Sequence, residues 1–192
     1  MRNTCNTALC HTCGAFYLPI GAIMIKINAK IFLFTLRECI MTPEMKAESV
    51  LRESWNGTVP VDPVAIAYSM GVRVFEDPAY QTSGTLRQDN GVWSIHINPQ
   101  QPLERKRFTV AHELGHLLLG HGPRNREMET NYNIYNFDPV ERDANAFAAA
   151  LLMPRDAVQH FVSNGYDLFS LAVQFSVSTQ AMSIRLERLG II

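Results

Sequence analysis

The stretch Ala111–Gly122, AHELGHLLLGHG, puts three histidines and one glutamate into twelve residues, and its reading decides the fold. His112 and His116 stand four apart, so on a helix both imidazoles leave one face with Cβ atoms about 5–6 Å apart. That separation suits two nitrogens on one zinc at about 2.1 Å each. Glu113 is one step round the helix, near enough to hydrogen-bond a water beside the metal without being forced to ligate. This is the HExxH arrangement, with the glutamate as general base. With six histidines in 192 residues, a chance HExxH is expected about 0.01 times, so the match is treated as signal. Core histidines on an amphipathic helix are the plain alternative. Leu114, Leu117, Leu118 and Leu119 already supply the apolar face, so packing does not need the histidines.

A tetrahedral catalytic zinc takes three protein ligands and keeps one open position, so one ligand lies elsewhere. His121 is five residues beyond His116, about 140° round a helix from it, where Gly120 and Gly122 end the helical pattern. The pattern HExxHxxGxxH asks for glycine at 119 and histidine at 122. Leu119 and Gly122 stand there, so His121 reads as a cap or rim residue at the helix C-terminus. The preferred third ligand is Glu141, on a second helix reading ERDANAFAAALLMP (141–154). Asn145 lies four residues on and shares its face, where it can hold a ligand histidine's second nitrogen. Asp143 competes, but projects about 200° round from Glu141. Ala144, Ala148 and Ala149 are small enough to let two helices approach closely. A carboxylate at 141 also complements the helix dipole, a role compatible with ligation.

Working outward, residues 43–55 read as a helix with Thr42 as cap and Pro43 in the first turn. A second helix runs from Pro63 to Met70 and is closed by Gly71; VRVFED (72–77) alternates and reads as a strand. SGTLRQ and GVWSIHIN flank Asp89-Asn90-Gly91, a hairpin signal. Trp93, Ile95 and Ile97 alternate with Ser94, His96 and Asn98, so one face of that strand is buried. After the two central helices and the loop 122–138 between them, two short helices, about 154–163 and 167–188, close the chain, the second broken near Ser176–Ser178. The expectation is an α+β domain, a small antiparallel sheet packed on a helical bundle that carries the HExxH helix, zincin-like in plan.

Composition sets limits on function. Hydrophobic residues make up 47% and charged residues 18% of the chain, the balance of a globular protein. All four cysteines, Cys5, Cys10, Cys13 and Cys39, fall in the first forty residues. The rest of the chain has none, which points to a reducing, cytoplasmic home rather than a disulfide-stapled secreted domain. Four of the seventeen basic and one of the eighteen acidic side chains also lie in residues 1–40. That leaves 13 against 17, a net charge of −4 over 41–192, a poor surface for phosphates. The uncharged run Gly14–Ile25 is too short for a membrane span, which needs about 20 residues. CHTC (10–13) with Cys5 lacks the second CxxC that a zinc knuckle requires. Met41 and Met45 stand just before clean helical patterning, so residues 1–40 read as a poorly ordered extension or a misassigned start. Residues 41–192 then form a single domain that includes the helical segment from about 154. The mass of the intact native protein tests this: a mass matching a Met1 start excludes the later start.

RKRFTVAHELGHLLLGH (105–121), ERDANAFAAALLMP (141–154) and LAVQFSVSTQAMSIRLERLG (171–190) together resemble the ImmA/IrrE family of metallo-endopeptidases. The resemblance covers essentially 41–192, and residues 1–40 have no counterpart in it. It implies a gluzincin-like site in which His112, His116 and Glu141 hold one Zn2+, with Mn2+ also compatible with the donor set, while Glu113 activates water. It further implies a protein substrate, an Xre-type helix-turn-helix repressor. The protein then acts as an anti-repressor in mobile-element, stress-response or toxin–antitoxin regulation, with no direct nucleic-acid or membrane partner. Tyr132, Tyr135 and His121 are candidates for stabilising the oxyanion, since each can donate a hydrogen bond to developing charge. The target peptide is expected to add as a strand along the sheet, against VWSIHIN (92–98).

Two rivals follow from the same residues. A non-catalytic, metal-bound adaptor would displace a repressor by binding alone, but then Glu113 beside the ligands would serve no purpose. A DNA-binding regulator would use residues 171–190, which scan as helix–turn–helix with Ser178 capping the second helix. Its basic residues reduce to Arg185 and Arg188 with Glu187 between them, so packing as closing helices is the better reading.

Overall fold

The computed structural model describes residues 8–9, 16–20, 23–27, 41–79, 83–122 and 138–192. The chain divides into two units, Met1–Thr42 and Pro43–Ile192. In the first, β1 (Ala8–Leu9), β2 (Phe16–Ile20) and β3 (Ile23–Ile27) pair antiparallel in that order.

The second unit opens with α1 (Pro43–Ser54), which buries Ala47, Val50 and Leu51 at helical spacing. In α2 (Pro63–Ser69), the Asp62 carboxylate accepts from the Val64 and Ala65 amides at 2.9 and 3.2 Å, and Pro63 fills the first position, where no amide donor is needed. Three strands follow: β4 (Arg73–Glu76), β5 (Gly84–Asp89) and β6 (Val92–Ile97). The β5–β6 hairpin turns on Asn90 and Gly91, whose φ values of 49° and 82° match the two left-handed positions of a type I′ turn.

The sheet is mixed rather than wholly antiparallel, with order β4-β6-β5. β4 runs parallel to β6, Arg73 opposite Ser94 and Glu76 opposite Ile97. A hairpin signal fixes the β5–β6 pairing but not which side of the hairpin an earlier strand joins. β4 lies on the far side of β6 from β5. Consequently VWSIHIN occupies the centre of the sheet with both sides paired, and the expectation that a peptide adds against it does not hold.

The remaining elements are α3 (Leu103–Leu118), α4 (Pro139–Leu152), α5 (Arg155–Ser163), α6 (Leu168–Phe175) and α7 (Thr179–Leu189). This is an α+β fold, with seven helices among the described residues. The core joins Ile95 and Ile97 of the sheet to Leu114 of α3, Phe147 and Leu151 of α4, and Phe175 and Met182 from the closing helices. α4 packs on both α1 and α3, while β5 lies on α3. A Cβ added at Gly84 would overlap the Thr109 methyl, so glycine is what lets the strand sit on the helix there.

Arg185, one of the two basic residues that the DNA-binding reading would use, is buried at 5% exposure. It falls on the inward stripe of α7 with Met182 and Leu186, and its Nε donates to the Met153 carbonyl at 3.0 Å. That carbonyl belongs to the residue ending α4, so the guanidinium closes a helix terminus instead of facing phosphates. Among the described residues, no helix is long and apolar enough to cross a membrane.

Candidate metal centre

α3 carries its chemistry on a buried face: His112, Glu113 and His116 are exposed by only 1%, 4% and 3%. Opposite lies the first turn of α4. Asp138 caps that helix by accepting from the Val140 amide at 2.9 Å, and Pro139 sets the first helical position. Glu141 is then the third helical residue, where a carboxylate can reach back to the cap. Here it turns to the histidines instead. Its Oε2 lies 3.3 Å from His112 Nε2 and its Oε1 3.2 Å from His116 Nε2. The two Nε2 atoms are 2.9 Å apart.

Among the described residues these three side chains form the group of His, Cys, Asp and Glu suited to a metal. Tetrahedral zinc at 2.0–2.1 Å requires ligand atoms about 3.3–3.4 Å from each other. The two nitrogen–oxygen distances, one to each carboxylate oxygen, are close to that spacing, and the nitrogen–nitrogen distance reaches it with a shift of a few tenths of an ångström. Two imidazole nitrogens and a carboxylate converging in a buried site also suit a divalent cation chemically. Asp143 does not join them; it lies 3.8 Å from the Arg142 Nε on the outer side of α4.

The outer ring nitrogens are engaged as well. Asn145 Oδ1 lies 2.8 Å from His112 Nδ1, and His121 Nδ1 lies 3.1 Å from His116 Nδ1. The Phe108 ring, one turn before His112 on α3, packs at 6.3 Å between centroids. Tyr132 and Tyr135 lie outside the described residues.

How closely α4 approaches depends on a residue that motif reading passed over. A Cβ on Gly115 would sit 3.2 Å from the Ala144 carbonyl oxygen and 3.3 Å from its Cα. Of the small residues expected to allow the approach, Ala144 lies at this contact, Ala148 is buried and Ala149 is only partly buried; glycine on α3 sets the limit. Glycine inside a helix costs about 1 kcal/mol against alanine, which is the sequence signal that could have found it.

The sequence profile described as the IrrE N-terminal-like domain, a peptidase profile, matches residues 67–187. The chain is 36% identical over 125 residues to the radiation response metalloprotease IrrE of Deinococcus deserti, covering 62% of this chain and 44% of that protein. It is 26% identical over 123 residues to the metallopeptidase ImmA of Bacillus subtilis, covering 62% and 71% respectively. An uncharacterized immunity region protein of Bacillus phage phi105 is 26% identical over 106 residues, covering 55% and 66%. The chain therefore spans less than half the length of IrrE. A solved Mycobacterium tuberculosis transcriptional regulator shares the fold, with a TM-score of 0.57 over 82% of this chain and 50% of that one, at 18% identity.

Proposed function

Because this chain belongs to the family of peptidases with an IrrE N-terminal-like domain, we propose that it is a zinc-dependent endopeptidase acting in the cytoplasm on a protein target. The observation that carries this reading is the convergence of His112 Nε2, His116 Nε2 and the Glu141 carboxylate in one buried site, with Glu113 on the same turn of α3 as the ligands. His112, His116 and Glu141 would hold the ion. A divalent cation bound there supplies Lewis acidity towards a substrate carbonyl and lowers the pKa of a water. Glu113 accepts a proton from the attacking water and delivers it to the departing amine nitrogen as the C–N bond breaks. Asn145 orients the His112 ring by accepting from Nδ1, which leaves Nε2 as the ligating nitrogen.

The reading extends to where the substrate binds. Among the described residues β5 is the edge strand on the α3 side, with Gly84 directly over Thr109, less than one turn from His112. An extended peptide pairing with β5 would run across the metal-bearing helix. The target assigned to it is an Xre-type helix-turn-helix repressor, so that cleavage relieves repression. The relatives named for radiation response and phage immunity are compatible with such a role.

The test uses the zinc-loaded protein, the repressor encoded nearest to it, and the Glu113→Gln variant. The proposal expects cleavage by the native protein and none by the variant, with zinc content unchanged. Full cleavage by the variant overturns the role of Glu113. Derepression by the variant without cleavage makes the protein a binding adaptor.

A further inference from the structure

We propose that His121 is the positioning residue for the ligand His116, held against it by the loop that ends α3. The inference rests on the metal-site reading above and deepens it. α3 finishes at Leu118, and Gly120 takes a left-handed φ of 73°. The Gly120 amide then donates to the Leu117 carbonyl at 3.2 Å and the His121 amide to the His116 carbonyl at 2.9 Å. These two bonds are a Schellman closure, in which the residue two past the cap folds back over the residue three from the helix end. In that motif the fold-back contact is usually apolar. Here it joins two imidazoles, Nδ1 to Nδ1 at 3.1 Å, with ring centroids 5.2 Å apart and planes at 67°. His121 is thus tied to His116 twice, through backbone and through side chain, and Gly122 at φ 74° carries the chain onward.

The chemistry assigns donor and acceptor. When Nε2 of His116 ligates a cation, its proton resides on Nδ1. Nδ1–H donates to the Nδ1 lone pair of His121, whose own proton is then on Nε2. The two ligand histidines are consequently held by different acceptors: an amide oxygen from α4 for His112 and an imidazole from the α3 terminus for His116.

The experiment measures zinc affinity of the full chain by competition with a chromophoric chelator, and the visible spectrum of the Co2+-loaded protein. It compares the native sequence with His121→Ala, His121→Gln and Asn145→Ala. The expected result is an affinity about 10–100-fold weaker for His121→Ala, comparable to Asn145→Ala. The Co2+ bands should change, and His121→Gln, whose amide oxygen accepts a hydrogen bond, should recover most of both. Native affinity and spectrum in His121→Ala overturn the inference alone, since the site still binds. Weakened binding that the glutamine variant does not recover, together with a lower melting temperature of the metal-free protein, overturns it in favour of a structural role. A native protein that binds no zinc overturns the metal-site reading itself.

Discussion

Two helix pairs in this chain bury polar side chains, and they do so for opposite reasons. In α3 and α4, two imidazole nitrogens and a carboxylate face one another within 2.9–3.3 Å. Each of the three can offer an electron pair to a bound cation. In α7, the buried Arg185 meets a carbonyl oxygen at 3.0 Å, and burial pushes its pKa down only to about 10, so it stays charged at neutral pH. A buried cation that meets an acceptor is a structural tie. Buried donor atoms that converge on one point suit a metal cation. Direction of donation, more than burial, separates a site from a strut.

The widest break in that contrast comes from Glu141→Ala. Removing a ligand should weaken zinc binding by more than about 100-fold, since losing even an outer partner costs 10–100-fold. It should also abolish the dependence of melting on metal. Zinc at 100 times its dissociation constant stabilises the native protein by about 2.7 kcal/mol, so chelator lowers the native melting temperature and leaves the variant's unchanged. Retained native affinity would remove Glu141 from the ligand set.

Arg185→Ala should do the reverse. It leaves the Met153 carbonyl buried without its donor and deletes an apolar stem from the core, a loss of about 2–3 kcal/mol of folding stability by denaturant titration. Zinc affinity should stay native, and Arg185→Met should recover the part owed to packing. A change in metal binding would show that the two pairs are coupled through the end of α4.

Gly115→Ala sits between these cases, because it acts on the contact that joins α3 to α4. The new methyl would press on the Ala144 backbone, which cannot rotate away, so a destabilisation of about 1–3 kcal/mol is expected. Glu141 is one turn from Ala144, so zinc affinity should fall with stability, but by less than in Glu141→Ala. A variant that loses stability while keeping native affinity would show that the site tolerates helix displacement.

Legibility in the sequence followed the same divide. Local pattern was enough for the helices, for the hairpin at Asn90–Gly91, and for His112 and His116, because each depends on spacing within a few residues. Glu141 was reached by elimination, and its pairing with the histidines depends on how α4 packs. Three features were hidden. The parallel pairing of β4 with β6 depends on a long-range choice of sheet edge that no local signal encodes. Arg185 carries an exposed residue's identity on a buried stripe, and the carbonyl that satisfies it is 32 residues away. His121 was visible as a residue past the helix end, but its contact with His116 arises from the left-handed turn at Gly120.

The sheet offers a third kind of buried polar group and the smallest effect. His96 on β6 is half-buried, 3.3 Å from the Ser94 hydroxyl and packed against the Phe75 ring at 5.2 Å. Burial lowers its pKa below 6.5 and the charge of Arg87 lowers it further, against smaller opposing effects from Asp77 and Asp89. The folded state therefore favours the neutral ring. Above pH 6.5 the ring is neutral in both states and its contribution is fully present. As pH falls from there through the lower folded value, the unfolded chain takes the proton more readily and stability is lost. Melting curves of the native protein and His96→Gln between pH 7.5 and 5.5 isolate this residue, because the titrations of the metal site are common to both. The native protein should lose more stability over that range than the variant. Parallel curves would mean that the protonated ring is accommodated in the sheet, and that His96 belongs with Arg185, among the buried groups that the fold keeps charged.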